Sequence, residues 1–157
     1  MTVISTHIEL TSTNATAAFA AKVGALLSKG DVLLLQGDIG TGKSFFARAL
    51  IQSLQKIPED VPSPTFTLVQ TYDTLSGEIW HADLYRLGDP SEADELGLLD
   101  AFNSAICLIE WPDRLGSATP KSAVTLLFET TEEEDVRRVA IENNKSDLAD
   151  NIMKAFL

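Results

Sequence analysis

What this 157-residue chain has little of narrows its function before any motif is read. It carries one cysteine, Cys107, so no disulfide can close within the chain. It has only two histidines, His7 and His81, 74 positions apart, which form no metal-ligand cluster; His81 reads as a neutral, hydrogen-bonded strand residue. Basic residues are scarce: 12 Lys and Arg stand against 23 Asp and Glu, a net charge of −11. Phosphate contacts from Lys and Arg supply most non-specific affinity for nucleic acid, so a chain this acidic is not expected to grip RNA or DNA directly; a basic protein partner suits it better. No apolar stretch approaches the roughly 18 residues of a membrane span, and no basic segment followed by an apolar core opens the chain. A cytoplasmic protein that binds no membrane is expected. Without a repeat, a low-complexity tract or a linker, residues 1–157 read as a single domain.

What is present is globular: 45% of residues are hydrophobic and 22% charged. The charge is unevenly placed. Residues 1–60 carry five bases and five acids, whereas 61–157 carry seven bases and 18 acids. Val3-Ile4 and residues 8–10 suggest a first strand, and Ser12 or Thr13 can cap a helix over Thr16, Phe19, Val23 and Leu26-Leu27. Val32-Leu33-Leu34-Leu35, bounded by Gly30 and Gly37, suits a strand buried on both faces of a mostly parallel sheet. Phe45, Phe46, Ala49, Leu50 and Leu54 then repeat at helical spacing. Residues 66–72 and 78–85 make a hairpin around Ser76-Gly77, and 124–128 and 136–141 make a second around the acidic turn Glu132-Glu133-Glu134-Asp135. Asp89-Pro90 starts a short helix, 106–109 is another buried strand with Cys107 as an inert core thiol, and Ser146 can cap a final helix through Leu148, Ile152 and Phe156. The expected class is α/β, with a mostly parallel central sheet, short antiparallel additions and flanking helices.

The chemistry is concentrated in Gly37-Asp38-Ile39-Gly40-Thr41-Gly42-Lys43-Ser44, which matches G-x-x-x-x-G-K-[ST] between a buried strand and a helix. The glycines let the backbone curl so that successive N–H groups point inward, and the helix N-terminus adds positive potential. Lys43 reaches the β- and γ-phosphates of a nucleotide, and the Ser44 hydroxyl ligates Mg²⁺. Such a site also needs an acid at the end of a neighbouring strand, where α/β sheets place their ligands. Glu110, ending Ile106-Cys107-Leu108-Ile109, is the first candidate for the metal and for positioning water; Asp83 is the second.

Four motifs in order carry a resemblance to a family: the loop at 37–44, Ser63-Pro64-Thr65-Phe66-Thr67-Leu68-Val69, His81-Ala82-Asp83-Leu84-Tyr85-Arg86-Leu87, and Ile109-Glu110-Trp111-Pro112. Over roughly residues 10–115 the chain resembles the TsaE (YjeE) family, small bacterial P-loop ATPases required for threonylcarbamoyladenosine modification of tRNA. Thr41 replaces the usual alanine and Ser44 the usual threonine, and after Arg114 the likeness fades. The resemblance implies the P-loop NTPase fold, an ATPase weak in isolation, and partners TsaB and TsaD. It implies Ser44 and Glu110 as Mg²⁺ ligands, and Asp83 and residues 63–65 as switch elements with Thr65 sensing the γ-phosphate. Thr13 is implied near the adenine, and Trp111 either in the site or packed beneath it. No direct contact with tRNA is expected.

Competing signals are weaker. Asn144-Lys145-Ser146-Asp147 matches the guanine-reading N-K-x-D, and Asp94-Glu95-Leu96-Gly97 imitates D-x-x-G, but only ten residues follow Asp147 and Asp94 falls in an expected helix. A small-molecule kinase needs an arginine-bearing lid, and after Glu110 the chain offers only Arg114, Arg137 and Arg138. Arg86 is the one arginine placed to act in cis. A GTP-driven switch and a non-catalytic, nucleotide-dependent assembly factor remain as alternatives. The acidic stretch Asp89, Glu92, Asp94, Glu95 and Asp100 reads as a solvated face or a docking surface for a basic partner.

Overall fold

Two strands, β2 (Val32–Gln36) and β5 (Ile106–Glu110), are apolar at consecutive positions, and a computed structural model describing residues 4–62, 64, 68–143 and 146–155 explains why. Successive side chains of a strand point to opposite faces, and here both faces are covered. Leu33, Leu35, Ile106 and Leu108 join the core beneath α1 (Thr13–Leu26), α2 (Lys43–Leu54) and α5 (Asp147–Ala155). Val32, Leu34, Cys107 and Ile109 join a second core beneath α3 (Ser91–Glu95), α4 (Leu98–Ser104) and the 3₁₀ segment Pro112–Ala118.

The remaining strands are β1 (Ile4–Leu10), β3 (Val69–Thr74), β4 (Gly77–Asp83), β6 (Val124–Thr130) and β7 (Arg137–Asn143). They complete a seven-stranded sheet in the order β1-β7-β6-β2-β5-β4-β3. The four central strands β6, β2, β5 and β4 are parallel; on one margin β7 pairs antiparallel with β6 and β1 antiparallel with β7, and on the other β3 pairs antiparallel with β4. This is the α/β class expected from the sequence.

Local signals explain most boundaries. Ser12 caps α1, its side chain accepting from Ala15 N at 3.0 Å. Leu26, expected in the apolar stripe, is 36% exposed, and Leu27 turns inward instead. The buried stripe of α2 runs Phe46, Ala47, Leu50, Ile51 and Leu54, so Ala47 and Ile51 take core positions that the spacing had given to Phe45 and Ala49. Asp89 accepts from Ser91 N at 2.9 Å and starts α3, which stops after one turn because Gly97 adopts φ +84. The helix α4 that follows was not foreseen: seven residues are too few to display a period. Strand β4 stops at Asp83, two residues short of expectation, as the chain turns towards the site. Ser146 Oγ accepts from Ala149 N at 3.4 Å at the start of α5, whose Leu148 and Ile152 are buried. Val3, Phe66, Thr67 and Phe156 lie outside the described residues. No described helix is long and apolar enough to cross a membrane.

Candidate functional site

The site grows from the connection between β2 and α2. Gly37, with φ +146, has no room for a side chain: a Cβ there would stand 2.6 Å from the Phe128 carbonyl oxygen and 2.7 Å from Thr41 Oγ1. Thr41 is buried and donates its hydroxyl to the Asp38 carbonyl at 2.8 Å, drawing the loop tight. Gly42 then enters the left-handed region at φ +97 as the N-cap of α2, and its carbonyl accepts from Phe46 N at 2.9 Å. Lys43 and Ser44 are therefore delivered on the first turn of a helix whose N–H groups face the cavity mouth.

Opposite them end two parallel strands. Asp83 on β4 and Glu110 on β5 are register partners, and both are buried. Glu110 is only 1% exposed yet has two polar anchors: Ser44 Oγ donates to its Oε1 at 2.6 Å, and His81 Nε2 lies 2.7 Å from its Oε2. Burial alone would raise the Glu110 carboxyl, but the bonds from His81 and Ser44 together with the charge of Lys43 outweigh it and hold the pKa below its ordinary value. Asp83 Oδ1 accepts from Tyr85 N at 3.0 Å. The Lys43 ammonium donates to the Gly37 carbonyl and sits 3.6 Å from the centroid of the Trp111 ring. Burial pulls its pKa down, against the opposing charges of Glu110, Asp83, Asp38 and Asp113. Trp111 itself has φ +56, a left-handed conformation that carries its ring under the lysine and within 5.0 Å of the Tyr85 ring.

A cavity of about 600 Å³ opens over these groups. Of the residues expected in the site, it brings together Thr13, Ile39, Gly40, Gly42, Lys43, Ser44, Asp83 and Glu110. Gly37, Asp38 and Thr41 instead line a groove on the far side of the loop, so they shape the loop rather than face the cavity. Thr65 lies outside the described residues, as does Ser63. Trp111 and Arg86 are at the cavity wall. The sequence pattern missed Asp135 and Arg137, which reach the same cavity from the turn before β7 and from its first residue; only tertiary structure brings them there. It also missed the pairing of His81 with Glu110, for which the sole sequence signal was that both fall near the ends of apolar strands.

The donor set suits a hard cation. The Ser44 proton is committed to Glu110, which leaves the hydroxyl lone pairs available, and oxygen donors with few protein ligands are what Mg²⁺ accepts when phosphates and water complete its octahedron. Among the described residues no group of three His, Cys, Asp or Glu side chains could hold a metal without such help. The guanine-reading alternative loses its context. Asp94 lies within α3, Gly97 packs against Trp80, and Ser146-Asp147 begin α5, while Asn144 and Lys145 lie outside the described residues. Cys107, buried, has its thiol pushed up to about 12 by desolvation, consistent with an inert core residue.

The sequence profile described as "Threonylcarbamoyl adenosine biosynthesis protein TsaE" matches residues 10–139. The likeness thus runs past Arg114, where it was expected to fade, into the second hairpin. The chain is 39% identical over 120 residues to the tRNA threonylcarbamoyladenosine biosynthesis protein TsaE of Rickettsia bellii, covering 76% of this chain and 83% of that one. It is 36% identical to the protein of the same name from Haemophilus influenzae, over 82% of this chain and 79% of the other. The Bacillus subtilis counterpart is 31% identical, with 88% of each chain covered. The fold also matches the crystal structure of Bacillus subtilis YdiB with a TM-score of 0.77 at 24% identity, covering 99% of this chain and 98% of that one. With a profile spanning most of its length and relatives above 30% identity across more than two-thirds of it, the chain belongs to the TsaE family of tRNA threonylcarbamoyladenosine biosynthesis proteins.

Proposed function

We propose that the chain binds ATP with Mg²⁺ and hydrolyses it, acting with TsaB and TsaD in the cytoplasm. The observation that carries this reading is the convergence of Lys43, the Ser44–Glu110 hydrogen bond and Asp83 at the floor of a single cavity. Lys43 and the loop N–H groups bind and neutralise the β- and γ-phosphates. Ser44 and Glu110 hold the metal. Bound there, Mg²⁺ supplies charge neutralisation across the phosphate oxygens. Asp83, beside Glu110 at the strand ends, orients the attacking water, and Thr65 senses the γ-phosphate. Thr13, on the cavity wall at the start of α1, contacts the base. Arg86 is the candidate to offset charge on the transferring group, with a partner completing the site.

The acidic residues Asp89, Glu92, Asp94, Glu95 and Asp100 are all exposed or half-buried along α3 and α4, as a docking surface for a basic partner requires. Direct tRNA contact is not part of the reading.

The test is paired. Lys43→Ala should weaken ATP binding at least tenfold in a fluorescence titration, whereas Glu110→Gln should keep binding in EDTA and lose most hydrolysis. Wild-type turnover should be slow alone and rise when TsaB and TsaD are added. Fast turnover indifferent to both partners would remove the partner-dependent part, and displacement of ATP by GTP at comparable affinity would favour the GTP-driven switch. If Glu110→Gln supported tRNA modification undiminished, the non-catalytic assembly factor would be the better account.

A further inference from the structure

His81 is a histidine in a buried strand position flanked by apolar residues. It lies two residues before the end of β4, between buried Ile79 and Ala82 in the strand, and is 1% exposed. Among the described residues its Nδ1 has no hydrogen-bond partner. Burying a polar nitrogen unpaired costs about 1–3 kcal/mol, so the ring is retained at the expense of stability. Among the described residues its polar contact is with Glu110 Oε2, at 2.7 Å.

The geometry shows how that contact can matter. Register pairs Asp83 with Glu110 and His81 with Leu108, so His81 and Glu110 are diagonal neighbours on the same face of β4 and β5. The imidazole spans the diagonal and takes one carboxylate oxygen; Ser44 takes the other. The carboxylate is thereby fixed at both oxygens, and its plane is set before any nucleotide enters. If the His81 bond were removed, Oε2 would be left buried and unpaired, and the carboxylate could relieve that only by rotating, which would also break its alignment with Ser44. A carboxylate oxygen can only accept, so Nε2 carries the proton given to Glu110.

We infer that His81 is a positioning residue that acts through Glu110, orienting its carboxylate so that Ser44 and Glu110 together hold the divalent cation of the bound nucleotide. The inference rests on the reading of Glu110 as a metal-site residue, and the experiment separates the two. Binding of a fluorescent ATP analogue to the full-length protein is measured in EDTA and across a Mg²⁺ titration, and Mn²⁺ bound to the nucleotide complex is counted by electron paramagnetic resonance. His81→Ala should leave affinity in EDTA within about twofold and raise the Mg²⁺ midpoint roughly tenfold or more. His81→Gln, whose amide nitrogen falls near the position of Nε2 and which keeps most of the volume, should recover most of that shift. Adding His81→Ala to Glu110→Gln should change the midpoint no further, because the two act as one unit. A role in packing alone predicts the reverse: loss of affinity in EDTA as well, no recovery in His81→Gln, and additive effects in the double variant. Any of these overturns the inference, as does an unchanged Mg²⁺ midpoint in His81→Ala. If Glu110→Gln itself leaves the Mg²⁺ midpoint at the wild-type value, the metal-site reading fails, and the inference with it; if Glu110→Gln shifts the midpoint and His81→Ala does not, the inference about His81 fails alone.

Discussion

The two faces of the sheet are built differently. One is covered by helices of 14, 12 and 9 residues, packed around Phe19, Phe46 and Phe128, with ring centroids of successive pairs 5.5 and 5.3 Å apart. The other is covered by helices of 5 and 7 residues and a 3₁₀ segment, punctuated by left-handed residues at Gly97, Trp111 and Gly116. The site straddles the two. Its glycine-rich loop runs from β2 into α2, on the long-helix side, whereas the segments leaving Asp83 and Glu110, which carry Tyr85, Arg86 and Trp111, lead into the short-helix side. The difference sets a firmly packed side, carrying the glycine-rich loop, against a side built from short elements. Local stability tracks the density of buried apolar contacts, so that division is open to measurement.

The largest contrast should come from the aromatic cores. Phe46, fully buried and touching two other rings, should cost about 3–5 kcal/mol on replacement by alanine, read from urea denaturation. Phe102, 8% exposed near the end of α4, should cost roughly half as much, because short helices joined at glycine can close over the space. Equal losses would break the comparison.

How much of this was legible in the sequence follows the same boundary. The glycine-rich turn from β2 into α2 was legible because its pattern occupies consecutive residues, Gly37 to Ser44. The buried strands were legible because burial on both faces leaves four apolar residues in a row, and the helix after Ser146 because capping is local. The short-helix side was read less well. Helix α4 is too brief to show periodicity, and Gly97 gains its meaning only from packing against Trp80. Two contacts were hidden for another reason: His81 supports Glu110 from the adjacent strand and Arg137 lines the cavity from β7, and the sheet order that brings them there, β7-β6-β2-β5-β4, is not written in any window of sequence.

Glycine substitutions give a smaller and sharper contrast. Gly97 has φ +84, and a Cβ there would lie 3.3 Å from the Trp80 ring, so Gly97→Ala should lose about 1–2 kcal/mol of stability. Gly24, on the face of α1 that packs against α2, has an ordinary helical backbone, and a Cβ there would meet Leu50 and Ser53 at 3.3 Å. There the roughly 1 kcal/mol gained in helix propensity offsets the crowding, and Gly24→Ala should change stability by less than about 0.5 kcal/mol. Thermal melts of the two variants read the difference. A cost at Gly24 as large as that at Gly97 would mean that the long-helix side is the less forgiving of the two, and the contrast would turn from stiffness to tightness of packing.

The smallest effect probes whether the short-helix side, for all its brief elements, excludes water. Cys107 faces it, and desolvation, with a minor contribution from the charge of Glu78, pushes the native thiol from 9.0 to about 12. Below pH 9 the thiol is protonated in both native and unfolded chains and adds no pH dependence. Between pH 9 and 12 the unfolded chain releases a proton that the native chain keeps, so stability falls as pH rises, by up to about 1.4 kcal/mol per pH unit. Lysines and tyrosines titrate over the same range, so the informative quantity is the difference between the wild type and Cys107→Ala in urea midpoints at pH 8, 9.5 and 10.5. The wild-type advantage should be greatest at pH 8 and shrink steadily as pH rises. A difference that stayed flat would mean that the native thiol ionises as readily as the unfolded one. Water would then reach this side of the sheet, and the contrast between the two faces would be one of hydration as well as of helix length.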